Sequence, residues 1–288
     1  MVGLISQLTN GVLLGGLYAV MALGLTTMFG VMRIVNFAYG MLFMLGAYVA
    51  YVVQSDLGQS FFVSLLASMV VLFVLGTLLE LGAFNLLRKS EERTVLLGLG
   101  LLLAGRGLLI SHFGSDNKTL NSGVSGNVSF SGGVIAKERL FAFALALLLL
   151  TVVAVLVTRS SLGRTMRAVA DDPGRAALLG ISHRPVYAIT FGAATALSAA
   201  AACLLAPSWQ VSPTMDNPAL LIGFAIVIVG GMGSMVGSTI AGILTGIVVS
   251  LGEAYISQAL APAMPFLLLI LVLVVRPQGL FGQKVRVA

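Results

Sequence analysis

Leu140-Phe-Ala-Phe-Ala-Leu-Ala-Leu-Leu-Leu-Leu-Thr-Val-Val-Ala-Val-Leu-Val-Thr158 carries no charge, and Arg159 follows it at once. Crossing about 30 Å of hydrocarbon takes roughly 20 apolar residues at 1.5 Å each. This stretch is long enough, and others like it fill most of the chain, at residues 4–30, 35–53, 61–87, 94–113, 186–206, 219–232, 236–251 and 264–275. The 288 residues are 58% hydrophobic and 9% charged, against about a quarter charged in soluble domains. No soluble fold hides that much apolar surface. The expected fold is an all-α polytopic membrane protein, one transmembrane domain over residues 1–288. It should have about nine transmembrane helices (eight to ten by the length argument). The runs 219–232 and 236–251 are short, as broken or re-entrant helices are.

The formal charge of +6 does not point to nucleic acid, because the Lys and Arg residues sit in short segments between apolar runs, as topology anchors do. They cluster at Arg88, Lys89 and Arg93, at Arg159, Arg164, Arg167, Arg175 and Arg184, and at Arg276, Lys284 and Arg286. Placing all three clusters in the cytoplasm requires an odd number of spans. Nine spans put the N-terminus outside, the C-terminus inside and residues 115–139 in the longest external loop. That loop, rich in Ser, Gly and Asn, has turn chemistry and no helical period. The first charged residue is Arg33, so the opening run is expected to be a retained span rather than a signal peptide, which begins with a basic segment. The lone Cys203 excludes an internal disulfide or a cysteine metal cluster.

Within the loop 159–184, Ser161-Leu-Gly-Arg-Thr-Met-Arg-Ala-Val-Ala170 has helical character. Asp172-Pro173 then fits an N-cap followed by proline at the first helical position, and the next run closes on Gly180, suited to a left-handed helix stop. The expected shape is helix, turn, helix. Short helices of this kind gain little alone and need a surface to pack on. Positive-inside topology explains the arginines but not the capped second helix, so docking is the favoured reading.

Glycine pairs four residues apart, Gly11/Gly15, Gly233/Gly237 and Gly242/Gly246, suit close helix packing. A dimer seam or pathway wall is the alternative. Glu80 and Arg106 fall inside apolar runs, where an ionised group costs about 3 kcal/mol. Glu80 is expected to snorkel toward the cytoplasmic side, and Arg106 has no obvious counter-ion. Arg33 and Asn36 interrupt the junction of the first two spans, as a cytoplasmic turn or a kinked cavity lining.

There is no Gly-x-x-x-x-Gly-Lys-[Ser/Thr] phosphate loop, so any ATP must be bound by another subunit. Carboxylates near mid-membrane, usual in ion-coupled transporters, are nearly lacking. With only His112 and His183, and with Ser234 outside a nucleophile frame, an enzyme is the least favoured class. No cofactor is expected on this chain.

Four ordered motifs, Asn36-Phe-Ala-Tyr-Gly40 with Gly46-Ala-Tyr48, Leu162-Gly-Arg-Thr-Met-Arg-Ala168 through Ala177-Leu-Leu-Gly-Ile181, Gly230-Gly-Met-Gly-Ser-Met-Val-Gly237 and Arg276-Pro-Gln-Gly-Leu280, resemble the branched-chain amino acid ABC importer permease family. Length and ending look like its shorter, LivH-like type. The resemblance implies a heterodimer with a second, LivM-like permease, two cytoplasmic ATPase subunits and an external substrate-binding protein, set in a bacterial inner membrane. It implies that Gly163, Arg164, Arg167, Ala168, Asp172, Ala177, Leu178 and Gly180 couple to an ATPase. Candidate pathway residues are Asn36, Arg106, Gly230, Gly231 and Gly233. Arg106 stands where such permeases are expected to carry an uncharged polar residue, which leaves the solute open among amino acids, amides and urea. An ATP-independent transporter or channel is the competing reading.

Overall fold

In hydrocarbon a backbone N–H or C=O finds no water, so each crossing segment must close its own hydrogen bonds. The computed structural model, which describes residues 2–88, 90–130 and 133–282, is accordingly mostly helical. Lys89, Lys284 and Arg286, part of the basic clusters named above, lie outside the described residues.

The order is α1 (Val2–Met32), α2 (Ala38–Ser55), α3 (Phe61–Leu79), a π-helical turn (Glu80–Phe84), α4 (Asn85–Leu87) and α5 (Glu91–Phe113). A hairpin of β1 (Asn127–Phe130) and β2 (Gly133–Ala136) precedes α6 (Lys137–Arg159), α7 (Ser161–Asp171), α8 (Pro173–Leu178) and α9 (His183–Trp209). The chain ends with α10 (Asp216–Gly230), α11 (Met235–Tyr255), a 3-10 turn (Ala261–Ala263) and α12 (Met264–Val275).

Seven of these segments are long and apolar enough to cross a membrane: α1, α2, α3 with α4, α5, α6, α9 and α11. The difference from the nine expected lies in α10 and α12. At 15 and 12 residues they measure about 22 and 18 Å, short of a 30 Å core.

Hydropathy and burial do not run together. Helix α6, the most apolar of the seven, has 11% of its most apolar window buried, while α1 and α9 have 83% and 89%. Lipid is as apolar as leucine, so the interior is chosen by closeness of fit rather than by greasiness. The centre is therefore small-residue helix: Ala199 to Ala202 of α9 are fully buried, and Gly46 of α2 lies so near Ala199 that an added Cβ would sit 2.6 Å from its Cα.

The most extensive pairing joins α1 to α11, antiparallel. Gly11 and Gly15 face Gly246 and Gly242, and a Cβ on Gly246 would lie 2.3 Å from the Gly15 nitrogen. Two of the three glycine pairs read as packing residues therefore meet each other within this chain. Polar pins flank the seam: Ser250 Oγ donates to Gln7 O at 2.8 Å, and Thr26 Oγ1 donates to Ser238 Oγ at 2.6 Å. On the other side Thr195 of α9 donates to Leu72 O of α3 at 2.7 Å.

Contacts at the helix ends sort the loops into two faces. Asn10 accepts from Arg139, Gln54 bonds Asn121, and Lys118 pairs with Val211. At the other end Arg33 reaches Ala170 O, Arg88 stacks on Tyr187, and Leu280 bonds Val229. The described arginines of the basic clusters all belong to loops at the second end. Residues 115–139, expected as a loop of turn chemistry, include the antiparallel hairpin, with Asn127 opposite Ala136 and Phe130 opposite Gly133. Such a hairpin is marginal alone; here β2 packs on α1.

Gly246→Leu is expected to destabilise the protein by about 3 kcal/mol or more, because backbone leaves no room for overpacking to relax. Gly107→Ala, with nothing within 4 Å of the added carbon, should be neutral. Thermal unfolding of the two purified variants checks the contrast.

Candidate functional site

Chemically distinctive residues gather in three places. The first is the loop after α6. Ser160 caps α7 by accepting from Gly163 N–H at 2.9 Å, and Gly163 is demanded by crowding: a Cβ there would meet Val157 O at 2.1 Å. Arg167 donates to the same Val157 carbonyl, so α7 is clamped to the last turn of α6. Asp172 then accepts from Gly174 and Arg175 N–H groups at 2.8 and 3.0 Å, with Pro173 in the first turn of α8. The Arg175 N–H, then that of Gly174, holds the Asp172 carboxyl below the usual carboxylate range. This cap is present at neutral pH and is lost only in acid, as pH falls through that lowered value. Gly180 closes α8 at φ +79°, a left-handed conformation natural to glycine.

Burial gives the loop two faces. Val169 and Ala176 are buried against the helices, whereas Leu178 and Leu179 are 88% and 79% exposed, beside exposed Arg164, Arg175 and Ala177. Ala168 is partly buried. Arg33, at φ +55° in the break between α1 and α2, donates to Ala170 O at 3.0 Å and ties the loop to the central helix.

The second place is the elbow between α10 and α11. Gly231 and Gly233 adopt positive φ, and the tail folds back on them: Leu280 N–H donates to Val229 O at 2.8 Å and Phe281 N–H to Gly230 O at 3.0 Å. A Cβ on Gly231 would strike Gly282, and one on Gly230 would strike Gly237. Two of the sequence motifs thus form one structural unit, in which Gly230 and Gly231 are enclosed by their own chain and Gly233 is exposed. Asn36 is also fully buried; its Oδ1 accepts from Ala38 N–H at 2.9 Å and its amide donates to Met28 Sδ, so it opens α2. Arg106 pairs with the first residue of α10, beside Gly40 of α2, whereas Gly230 ends that helix, so the five pathway candidates do not form one cluster.

The third place is where charge enters the apolar spans. Arg106 does have a counter-ion: its Nη2 donates to Asp216 Oδ2 at 2.5 Å and to Asn217 Oδ1 at 2.9 Å. Asp216 is the first residue of α10 and is fully buried. The sequence signal was the Asp-Asn-Pro opening of an apolar run, a helix start, and it was missed. Glu80 does not snorkel. It is 2% exposed and paired with Arg88, whose guanidinium carbon lies 3.7 Å over the Tyr187 ring. In a regular helix residue i+8 sits about 80° off the face of residue i. The π-turn at Glu80–Phe84 adds a residue to the turn and swings Arg88 back onto Glu80.

These features define a multi-pass helical membrane protein. The family profile described as "Branched-chain amino acid transport system / permease component" matches residues 7–274, and the chain belongs to that family. It is 30% identical to the high-affinity branched-chain amino acid transport system permease protein BraD of Pseudomonas aeruginosa and 31% identical to LivH of Escherichia coli, each over 97% of this chain and 96% of the relative. A protein of Methanocaldococcus jannaschii, given as a probable branched-chain amino acid transport permease LivH, is 25% identical over 96% of this chain and 91% of its own. No solved structure matches.

Arg88→Leu leaves Glu80 buried and alone and is expected to cost about 3 kcal/mol or more, whereas the double change Glu80→Leu/Arg88→Leu should recover most of it. Thermal melts of the two variants in one detergent decide the sign of the recovery.

Proposed function

We propose that this chain is one membrane-spanning subunit of an ATP-driven importer for branched-chain or related amino acids. It forms the passage with a second, LivM-like permease, is driven by two cytoplasmic ATPase subunits, receives solute from an external binding protein, and binds no cofactor itself. The observation that carries this reading is the loop 159–184, a capped pair of helices clamped at its base and presenting Leu178, Leu179 and Arg175 outward. An aliphatic pair so exposed on the basic side supports a docking edge, since exposed apolar patches mark interaction sites. The family membership and the names of the relatives support the solute class.

In the bacterial inner membrane the proposed topology has nine crossings, with α10 and α12 completing two of them despite their length. The N-terminus is outside and the basic end is cytoplasmic by the positive-inside rule. An ATPase that changes shape on binding nucleotide would pull α8. Gly163 and Arg167 would pass that motion to α6, and Arg33 would pass it to the α1–α2 break. Nucleotide shifts such an equilibrium only by its differential binding to the two states.

Affinity purification of the tagged chain from its native membrane should recover a second permease and ATPases, and uptake into proteoliposomes should require ATP. Full leucine uptake by this chain alone without ATP would establish the competing channel or secondary-transporter reading. Leu178→Glu should lower ATPase recovery by at least about tenfold, as loss of one buried leucine contact allows, and Gly180→Pro should uncouple uptake, both without reducing the amount inserted. Quantitative blotting of membranes and eluates measures this, and unchanged recovery with unchanged uptake would rule out docking through α8.

A further inference from the structure

The Arg106–Asp216 ion pair, beside Gly40 of α2, is not built as a simple brace. Helices α5 and α10 each pack on α2 rather than extensively on one another, so Arg106 reaches across α2 to the start of α10. It uses one terminal nitrogen to hold both Asp216 and Asn217. Its Nε is buried without a partner, and so is Asp216 Oδ1, although Asp216 is fully buried. The Arg106 side chain retains 26% exposure, and Asn217 and Leu221 beside it are exposed. A pair serving only to neutralise charge gains most by satisfying every lone pair and donor, because each unmet buried group is costly. This pair leaves one buried donor and one buried acceptor unmet, while the Arg106 side chain keeps part of its surface exposed.

We propose that Arg106 and Asp216 form a binding station for the zwitterionic head of an α-amino acid, an inference that rests on the importer reading above. The solute's carboxylate bonds the free face of the Arg106 guanidinium, whose fork suits it. The solute's ammonium donates to Asp216 Oδ1. The pair carries no net charge, so it favours a neutral zwitterion over a net anion, a net cation or urea. Leu221 and the neighbouring apolar wall of α5 suit an aliphatic side chain. Asn217 holds Arg106 in position and is not itself part of the recognition.

The test is ligand-observed NMR on the assembled transporter purified without its binding protein, with leucine, leucinamide and 4-methylpentanoate as millimolar probes. The wild type should bind leucine in preference to both analogues. Arg106→Gln should erase the preference for leucine over leucinamide, and Asp216→Asn the preference over 4-methylpentanoate. Each change should weaken leucine binding by about tenfold or more. Arg106→Lys and Asp216→Glu, which keep the charges, guard against loss through misfolding and should retain discrimination in part. No leucine binding by the wild type, or equal weakening of all three probes in every variant, would leave the pair a structural strut and overturn the station. ATP-driven leucine uptake by the wild-type transporter with its binding protein is scored separately. Uptake with unaltered discrimination in the variants ends this inference alone, and no uptake ends the importer reading.

Discussion

Close backbone approach without a hydrophobic reward governs this structure. Lipid offers apolar side chains the same company as a protein interior, so helices associate where small residues let backbones touch and where hydroxyls can bond a neighbouring carbonyl. The antiparallel seam of Gly11 and Gly15 on Gly242 and Gly246 fixes α1 against α11, and the alanine face of α9 gathers α1, α2 and α3 around it. Helices with bulky surfaces, α5 and α6 above all, remain outside with leucines exposed to lipid.

That arrangement determines where charge is tolerated. Each buried carboxylate in the apolar spans has an arginine brought to it by a local departure from regular helix: a π-turn for Glu80, and the first residue of a short helix for Asp216. Near the basic end, Arg88 rests on Tyr187 in the first turns of α9, the helix that follows the loop 159–184. The loop 159–184 thus precedes a braced base, and Arg33 ties it to the α1–α2 break.

Much of this was legible because it is local. Span positions need only length and polarity: the run expected at 186–206 is His183–Trp209, and the segment expected at 61–87 extends through Phe61–Leu87. The capped loop was legible because Asp172, Pro173 and Gly180 act on their own neighbours; α7 and α8 came out as Ser161–Asp171 and Pro173–Leu178. The glycine pairs announced close packing but not their partners. What stayed hidden depends on distance in sequence or on broken periodicity. The counter-ion of Arg106 is 110 residues away. Arg88 lies off the Glu80 face in any regular helix, and the four-residue strands of the hairpin are too short to show alternation. The return of Leu280 and Phe281 onto Val229 and Gly230 left no mark that either motif shows alone.

Coupling of α8 to an ATPase is the central claim, and Cys203, the chain's single cysteine, is buried, so a thiol placed at Leu178 would be the reactive one. Crosslinking of Leu178→Cys in native membranes, with and without ATP, tests the claim most directly. The account predicts a single major adduct with an ATPase subunit whose yield changes with nucleotide. Labelling of Leu178→Cys by a water-soluble maleimide at full rate in the assembled transporter, with no adduct in either state, would contradict it.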